Sequence, residues 1–339
     1  YCQINSAGLG FCLSRKNIDG QLYSLNYGLS SGIAVDPVEK KPLYHFYPRS
    51  QVLSMGSWGC NFRCQQCLNW DSSWGDLASS KLKAQSAKLD KNDNEEDYIS
   101  PEDLVNLAIK NHSPGIAFTY NEPTIWAEYV YDASVLAKKK GLYTVFVSNG
   151  SWSKETLALV GPVMDAANID LKGWGEKVYR RQGAFWGQIL GNLVLAHKKY
   201  KIHLELTTLV IPGINDDPKD LESIADWIVK NLGPQIPWHL SRYSPRLAPT
   251  KEFRKISATP TETLQQAYRI GKKAGLHFVY VWAPPEAGEN FFSLGDTNCP
   301  KCGRLVIKRS GWQPELIGVK KIKEKGICQF CGADLYLKI

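Results

Sequence analysis

Long apolar runs are missing from this 339-residue chain. The most hydrophobic stretches, such as Leu204 to Ile211, have strand length and fall short of a membrane span, so no membrane association is expected. Residues Tyr1 to Gly10 carry neither the basic end nor the apolar segment of an export signal, and a cytoplasmic location is the expectation. Cysteine is absent from Leu68 through Asn298, although the chain holds nine. A secreted disulfide scaffold would spread its cysteines along a short chain; clustering at both ends indicates metal ligation in a reducing compartment. Charge of one sign is also scarce. Lys and Arg total 41 against 33 Asp and Glu, a diffuse surplus of +8 that does not announce a nucleic-acid binder. Internal repeats are lacking too. What is plentiful is apolar surface, 43% of residues, enough for one large domain with small appendages.

From Gln51 to Trp282, short apolar runs rich in β-branched and aromatic residues alternate with longer segments of helical periodicity. The pattern predicts strands near Gln51–Met55, Gly115–Tyr120, Tyr143–Ser148, Val163–Leu171, His203–Ile211, Ile236–Arg242 and His277–Trp282. Ser100-Pro101-Glu102-Asp103 reads as a helix start, with a capping Ser and Pro at the first helical position. Pro218-Lys219-Asp220 and Thr259-Pro260-Thr261-Glu262 repeat the signal. Six or more βα units suit an α/β fold of the partial (β/α)6, TIM-like type, with functional groups at the carboxyl ends of the strands. An open doubly wound sheet competes with it. Residues 1–50 read as an irregular leader, 51–289 as the core and 290–339 as a small cysteine-rich domain. Within the core, 71–98 is polar and reads as a flexible insertion, either a solvated loop or a lid.

Cys60-Asn61-Phe62-Arg63-Cys64-Gln65-Gln66-Cys67 follows directly on the first core strand. Three thiolates at this spacing can hold three irons of a [4Fe–4S] cluster and leave the fourth iron open for reaction. Zinc favours paired CxxC knuckles, and none is completed nearby.

A Cx3Cx2C loop after the first strand of a βα pattern resembles the radical S-adenosylmethionine (radical SAM) superfamily, over roughly Gln51 to Trp282. More narrowly, the chain resembles the radical SAM enzymes of the AmmeMemoRadiSam system, relatives of the pyruvate formate-lyase activating enzymes. The matching segments are Asp36 to Phe46, Thr119 to Thr124, Asn168 to Lys172, Glu205 to Asn215, and His239-Leu240-Ser241. Gln66 departs from the pattern, which has an aromatic residue before the third cysteine, and the family's Gly-Asn after the last strand is replaced around Ala283-Pro284. The resemblance implies reductive cleavage of S-adenosylmethionine at the open iron and hydrogen abstraction from a substrate by the resulting 5′-deoxyadenosyl radical. It further implies that Asn121 and Glu122 meet the methionyl amino group, that Ser148 and Asn149 touch the methionine moiety, and that Asp170 and Lys172 address the ribose and the carboxylate of S-adenosylmethionine. His239, at the end of the sixth strand, matches a further contact to S-adenosylmethionine. No catalytic residue is assigned beyond the cluster. From local sequence alone, Glu122 also suits a helix-start acid, Asp170 with Lys172 a strand-end ion pair, and His239 a satisfied core residue. The segment Asp36 to Leu43 suits either a substrate clamp or solvated charge pairs.

Near the C-terminus, Cys299-Pro300-Lys301-Cys302-Gly303 and Cys328-Gln329-Phe330-Cys331-Gly332 form two CxxCG knuckles, with 25 residues between Cys302 and Cys328. This reads as a zinc ribbon, with an auxiliary iron–sulfur cluster as the rival. By the resemblance, Cys2 and Cys12 are a remnant of the family's N-terminal cysteine cluster; from the residues alone they read equally as two free thiols. The expected activity is that of a radical SAM oxidoreductase or activase acting on an unidentified small molecule or protein, with a ferredoxin or flavodoxin as electron donor. A glycyl-radical-enzyme activating protein is the alternative within that class. A zinc-ribbon module binding nucleic acid or protein, with Lys320, Lys321, Lys323 and Lys325 as its basic face, is the alternative outside it.

Overall fold

The computed structural model describes residues 2–88, 97–282 and 293–339. A hairpin of β1 (Arg15–Ile18) and β2 (Gln21–Ser24) precedes the main sheet. That sheet contains β3 (Gly32–Pro37), β4 (Gln51–Gly56), β5 (Gly115–Phe118), β6 (Tyr143–Ser148), β7 (Ala166–Asp170), β8 (His203–Val210), β9 (Trp238–Arg242) and β10 (Val279–Trp282). The strands lie in unbroken sequence order, with β4 to β10 parallel and β3 antiparallel against β4. A doubly wound sheet would reverse order at a switch point, so sequential winding selects the barrel-type α/β arrangement.

Helices Pro101–Lys110, Ala127–Lys139, Lys154–Val160, Trp186–Lys198, Pro218–Asn231 and Thr261–Lys273 supply the six crossovers. Ser100 Oγ accepts the Asp103 N–H at 3.0 Å, and Asp217 accepts the Lys219 N–H at 2.8 Å, satisfying donors that a helix start leaves free. The third predicted start differs. Pro260 occupies the cap position itself, because Thr259 Oγ1 is committed to the Val210 carbonyl and the Tyr243 N–H. Phe118, Phe146, Ile169, Leu206 and Leu240 are fully buried between sheet and helices. Each such side chain contributes roughly 1.5–3 kcal/mol on burial.

Two expectations are corrected. Gly32–Pro37, read as irregular leader, is the edge strand β3; its exposed Ile33 and Val35 disguise it as loop. The stretch read as a flexible insertion is helical over Trp70–Ser73 and Asp76–Lys88, because Ala78 and Leu82 reach one apolar cluster with Leu25, Leu29 and Trp58. Residues 89–96 of that stretch, Ala283-Pro284 and the domain boundary near Asn290 lie outside the described residues.

The C-terminal part folds into two three-stranded antiparallel sheets. The first holds β11 (Thr297–Asn298), β12 (Leu305–Ser310) and β13 (Gln313–Leu316), and the second β14 (Val319–Ile322), β15 (Lys325–Cys328) and β16 (Asp334–Lys338). Gly303 and Gly332 close the two knuckles at φ +72° and +74°, a conformation open to glycine at little cost. Among the described residues, no helix is long and apolar enough to cross a membrane.

Candidate functional site

A cavity of about 630 Å³ opens where the carboxyl ends of the strands converge. Cys60, Cys64 and Cys67 reach it from the loop after β4, Asn121 and Glu122 from the turn after β5, Ser148 and Asn149 from the end of β6, and Asp170 with Lys172 from the end of β7. The structure therefore brings together every core residue singled out from sequence. One position differs from expectation: His239 is the second residue of β9 rather than its last, and so lies on the cavity floor.

The cysteine loop is held from several sides. Asn121 accepts the Ser57 N–H at 3.2 Å and donates to the Gly59 carbonyl at 2.9 Å, and Asn149 Nδ2 donates to Asn61 Oδ1 at 2.8 Å. Gly59 adopts φ +94°, and a Cβ there would lie 2.5 Å from the Cys12 carbonyl oxygen, so only glycine fits immediately before Cys60. Arg63 donates to the Cys60 carbonyl at 2.7 Å and stacks over Phe11, tying the loop to the N-terminal residues. Cys12 is buried and accepts from Ser14 Oγ, while Cys2 is exposed.

Glu122 is buried and fully engaged. Its carboxylate accepts from Thr124 Oγ1 (2.7 Å), Ser148 Oγ (2.8 Å) and the Asn149 N–H (2.8 Å), and it also caps the short helix Pro123–Trp126. Burial raises its pKa, against these hydrogen bonds, which favour the anion. Lys172 Nζ lies 2.9 Å from Asp170. Burial opposes its charge, but Asp170 and the neighbouring Cys64 hold its pKa above the ordinary lysine value. In return, Lys172 eases the deprotonation of Cys64 and Cys67. Burial nevertheless pushes all three thiols up, Cys64 to about 12, so thiolates here need a cation beside them.

Sequence reasoning missed the group beneath the floor. Glu205, fully buried in β8, accepts from His239 Nε2 at 2.7 Å, His203 Nε2 at 3.1 Å and the Tyr44 and His45 N–H groups at 2.9 and 2.7 Å. Burial alone would raise its pKa, yet these donors hold it well below the carboxylate range. A lone acid inside an apolar strand was the available signal. Also missed were Trp282, at the end of β10, and Trp312, between β12 and β13, which line the cavity mouth. Gln66 is buried on the cavity wall with Oε1 unpartnered among the described residues. In the Asp36 to Leu43 segment, Asp36 binds Lys40 and Lys41 at 2.7 Å each and the Tyr120 hydroxyl at 3.0 Å; the Asp36–Lys41 pair is buried rather than solvated, and Glu39, Lys40 and Lys41 line the cavity.

The four C-terminal cysteines form a second, separate constellation. Their sulfur atoms all lie within 4.8 Å of one another, with Cys299 3.6 Å from Cys331 and Cys302 3.8 Å from Cys328.

Comparison with known proteins accords with this geometry. A profile of the Radical SAM superfamily matches residues 57–228. The chain is 37% identical over 336 residues to Uncharacterized protein MJ0808 of Methanocaldococcus jannaschii, spanning 99% of this chain and 92% of that one. It is 29% identical over 126 residues to the (2S)-3-sulfopropanediol dehydratase activating enzyme of Klebsiella oxytoca, covering 36% of this chain and 38% of that one. Among solved structures, a domain of pyruvate-formate lyase-activating enzyme from Bacteroides vulgatus is 21% identical, with 50% of this chain and 99% of that one covered and a TM-score of 0.43. With the profile spanning half its length and a cysteine loop set at the mouth of a parallel sheet, the chain belongs to the Radical SAM superfamily.

Proposed function

We propose that this chain is an enzyme in which Cys60, Cys64 and Cys67 hold a [4Fe–4S] cluster and the surrounding strand ends bind S-adenosylmethionine. The observation that carries the reading is the convergence of three cysteines and seven polar residues on one cavity. Bound there, cluster and S-adenosylmethionine would supply one-electron cleavage chemistry and hydrogen abstraction from a substrate. The chain's own part is to position and shield. Lys172 offers a cation beside Cys64 and Cys67 and suits a carboxylate. Asp170, 41% exposed, suits the hydroxyls of a sugar. Glu122 brings negative charge beside a bound ammonium, and its bonds to Ser148 and Asn149 fix where that charge sits. His239, held by Glu205, offers a polar contact from the floor.

A ferredoxin or flavodoxin is the proposed electron donor, in the cytoplasm. At the C-terminal tetrad we propose zinc. Tetrahedral Zn–S bonds of about 2.3 Å place sulfurs about 3.8 Å apart, close to the 3.6 and 3.8 Å of two of the sulfur pairs, and a set of four all within 4.8 Å is tighter than a cubane cluster would take. The partial similarity to an activating enzyme favours a second reading of the substrate, a protein glycine.

The test is anaerobic iron and sulfide analysis with EPR on the wild type and a Cys60→Ala, Cys64→Ala, Cys67→Ala triple variant. About four irons lost in the variant, a signal perturbed by S-adenosylmethionine and 5′-deoxyadenosine formation are expected. An intact cluster without 5′-deoxyadenosine would overturn the reading. A glycyl doublet on co-incubation with a candidate protein would select the second substrate.

A further inference from the structure

We propose that the C-terminal four-cysteine module is a wall of the reactive cavity, with Trp312 as a positioning residue for a substrate that presents a planar, apolar face. The inference rests on the reading of this cavity as the reactive one.

The Trp282 and Trp312 rings stack with centroids 5.5 Å apart and planes 12° from parallel, and both line the cavity. Trp282 remains 38% exposed, and Leu68, on the same cavity, is 64% exposed. Large apolar groups left wet around a polar cavity mark a surface that a ligand covers, and an indole face favours an offset ring.

Trp312 is placed by the strand that precedes its turn, β12. In β12, Val306 and Ile307 are buried against Cys299 and Cys328, so the tetrad anchors one end. Arg309, also buried, anchors the other: Nη2 donates to the Tyr44 carbonyl at 3.0 Å, and the guanidinium lies over the Tyr44 and Tyr280 rings at 4.3 and 5.3 Å. Tyr44 in turn donates its N–H to Glu205, the partner of His239. Three residues beyond Arg309, Trp312 reaches the mouth. A metal that fastens Cys299 and Cys328 thus fixes the strand that carries the aromatic wall.

The test uses the full chain with 5-fluorotryptophan in place of tryptophan, followed by fluorine NMR. Trp282→Phe and Trp312→Phe assign the two signals, and indole is the planar probe. In the metal-loaded wild type, indole should shift both signals saturably. Trp312→Ala should bind indole about tenfold more weakly, the loss of one aromatic contact, and Trp312→Phe should recover most of it. Cys302→Ser with Cys331→Ser should displace the Trp282 and Trp312 signals while those of Trp126, Trp152 and Trp238, buried in the core, stay in place. Equal indole affinity in Trp312→Ala overturns the proposal. So do Trp282 and Trp312 signals unmoved by emptying the tetrad, or loss of the core signals with them, which would make the module a folding element of the barrel. None of these readouts needs turnover. A chain that passes them yet cleaves no S-adenosylmethionine would refute the radical reading and leave the wall standing.

Discussion

Two sets of cysteines in one chain are built in opposite ways. At the C-terminus, four sulfurs face one another within 4.8 Å on tight knuckles, with burial raising Cys299 to about 12 and the backbone N–H groups of Phe330 and Cys331, against burial, lowering Cys328 to about 7. In the core, three thiols line a cavity shared with carboxylates, amides and a lysine. The first arrangement leaves a metal no vacant position, whereas the second surrounds whatever it holds with groups for a further ligand. Cysteine count therefore says little about role; the company the sulfurs keep decides it.

The contrast can be tested from both sides. Because the tetrad closes a small β-module whose core is little more than Val306, Ile307, Leu335 and Leu337, removing the metal proposed for it should cost on the order of 10 kcal/mol of local stability. Hydrogen exchange would register this as lost protection in β12 and β15 with the barrel still protected; uniform protection after chelation would break the comparison. The core site depends instead on buried polar scaffolding. Glu205→Gln leaves His203 and His239 without their anion and should cost about 3 kcal/mol in denaturant unfolding.

A pH series sharpens the point. Burial holds Glu39 protonated up to about pH 7 against an ordinary 4.5, the Arg49 N–H bond offsetting only part of the effect, and its Oε2 has no partner among the described residues. The folded state thus keeps a proton that the unfolded chain releases, so the stabilisation is complete below about pH 4.5 and disappears as pH rises through 7. Glu39→Gln should flatten that slope and exceed the wild type by roughly 2–3 kcal/mol at pH 8 in thermal unfolding. The smallest effect is expected from Lys172→Met, about tenfold weaker S-adenosylmethionine binding by calorimetry with the cluster retained.

Much of this was legible because β4 to β9 are buried apolar runs and the polar residues that end them stand out. Ser148, Asp170 and Lys172 announce a carboxyl-end site for that reason. Where a strand has one wet face, as β3 does, or a helix reaches a small apolar cluster through Ala78 and Leu82 among the described residues, composition resembles a loop. His239 belongs to the carboxyl-end site although it is the second residue of β9, because the floor of the cavity lies deeper in the sheet than the strand ends, a depth that no local sequence signal marks. Trp312 could not be found at all, since its neighbour Trp282 is near in space and distant in sequence.

The last strand also bears on how the molecule is made. Lys338 donates its N–H to the His45 carbonyl at 2.8 Å and accepts the Tyr47 N–H at 2.7 Å, while His45 Nδ1 meets the Leu335 carbonyl across 290 residues. These pairings cannot form until residues 335–338 have left the ribosome. The segment that donates the Tyr44 and His45 N–H groups to Glu205 therefore gains its remaining partners only with β16. Loop closure of this span is the slow, entropically costly kind, so assembly of the cavity floor should be among the final events of folding.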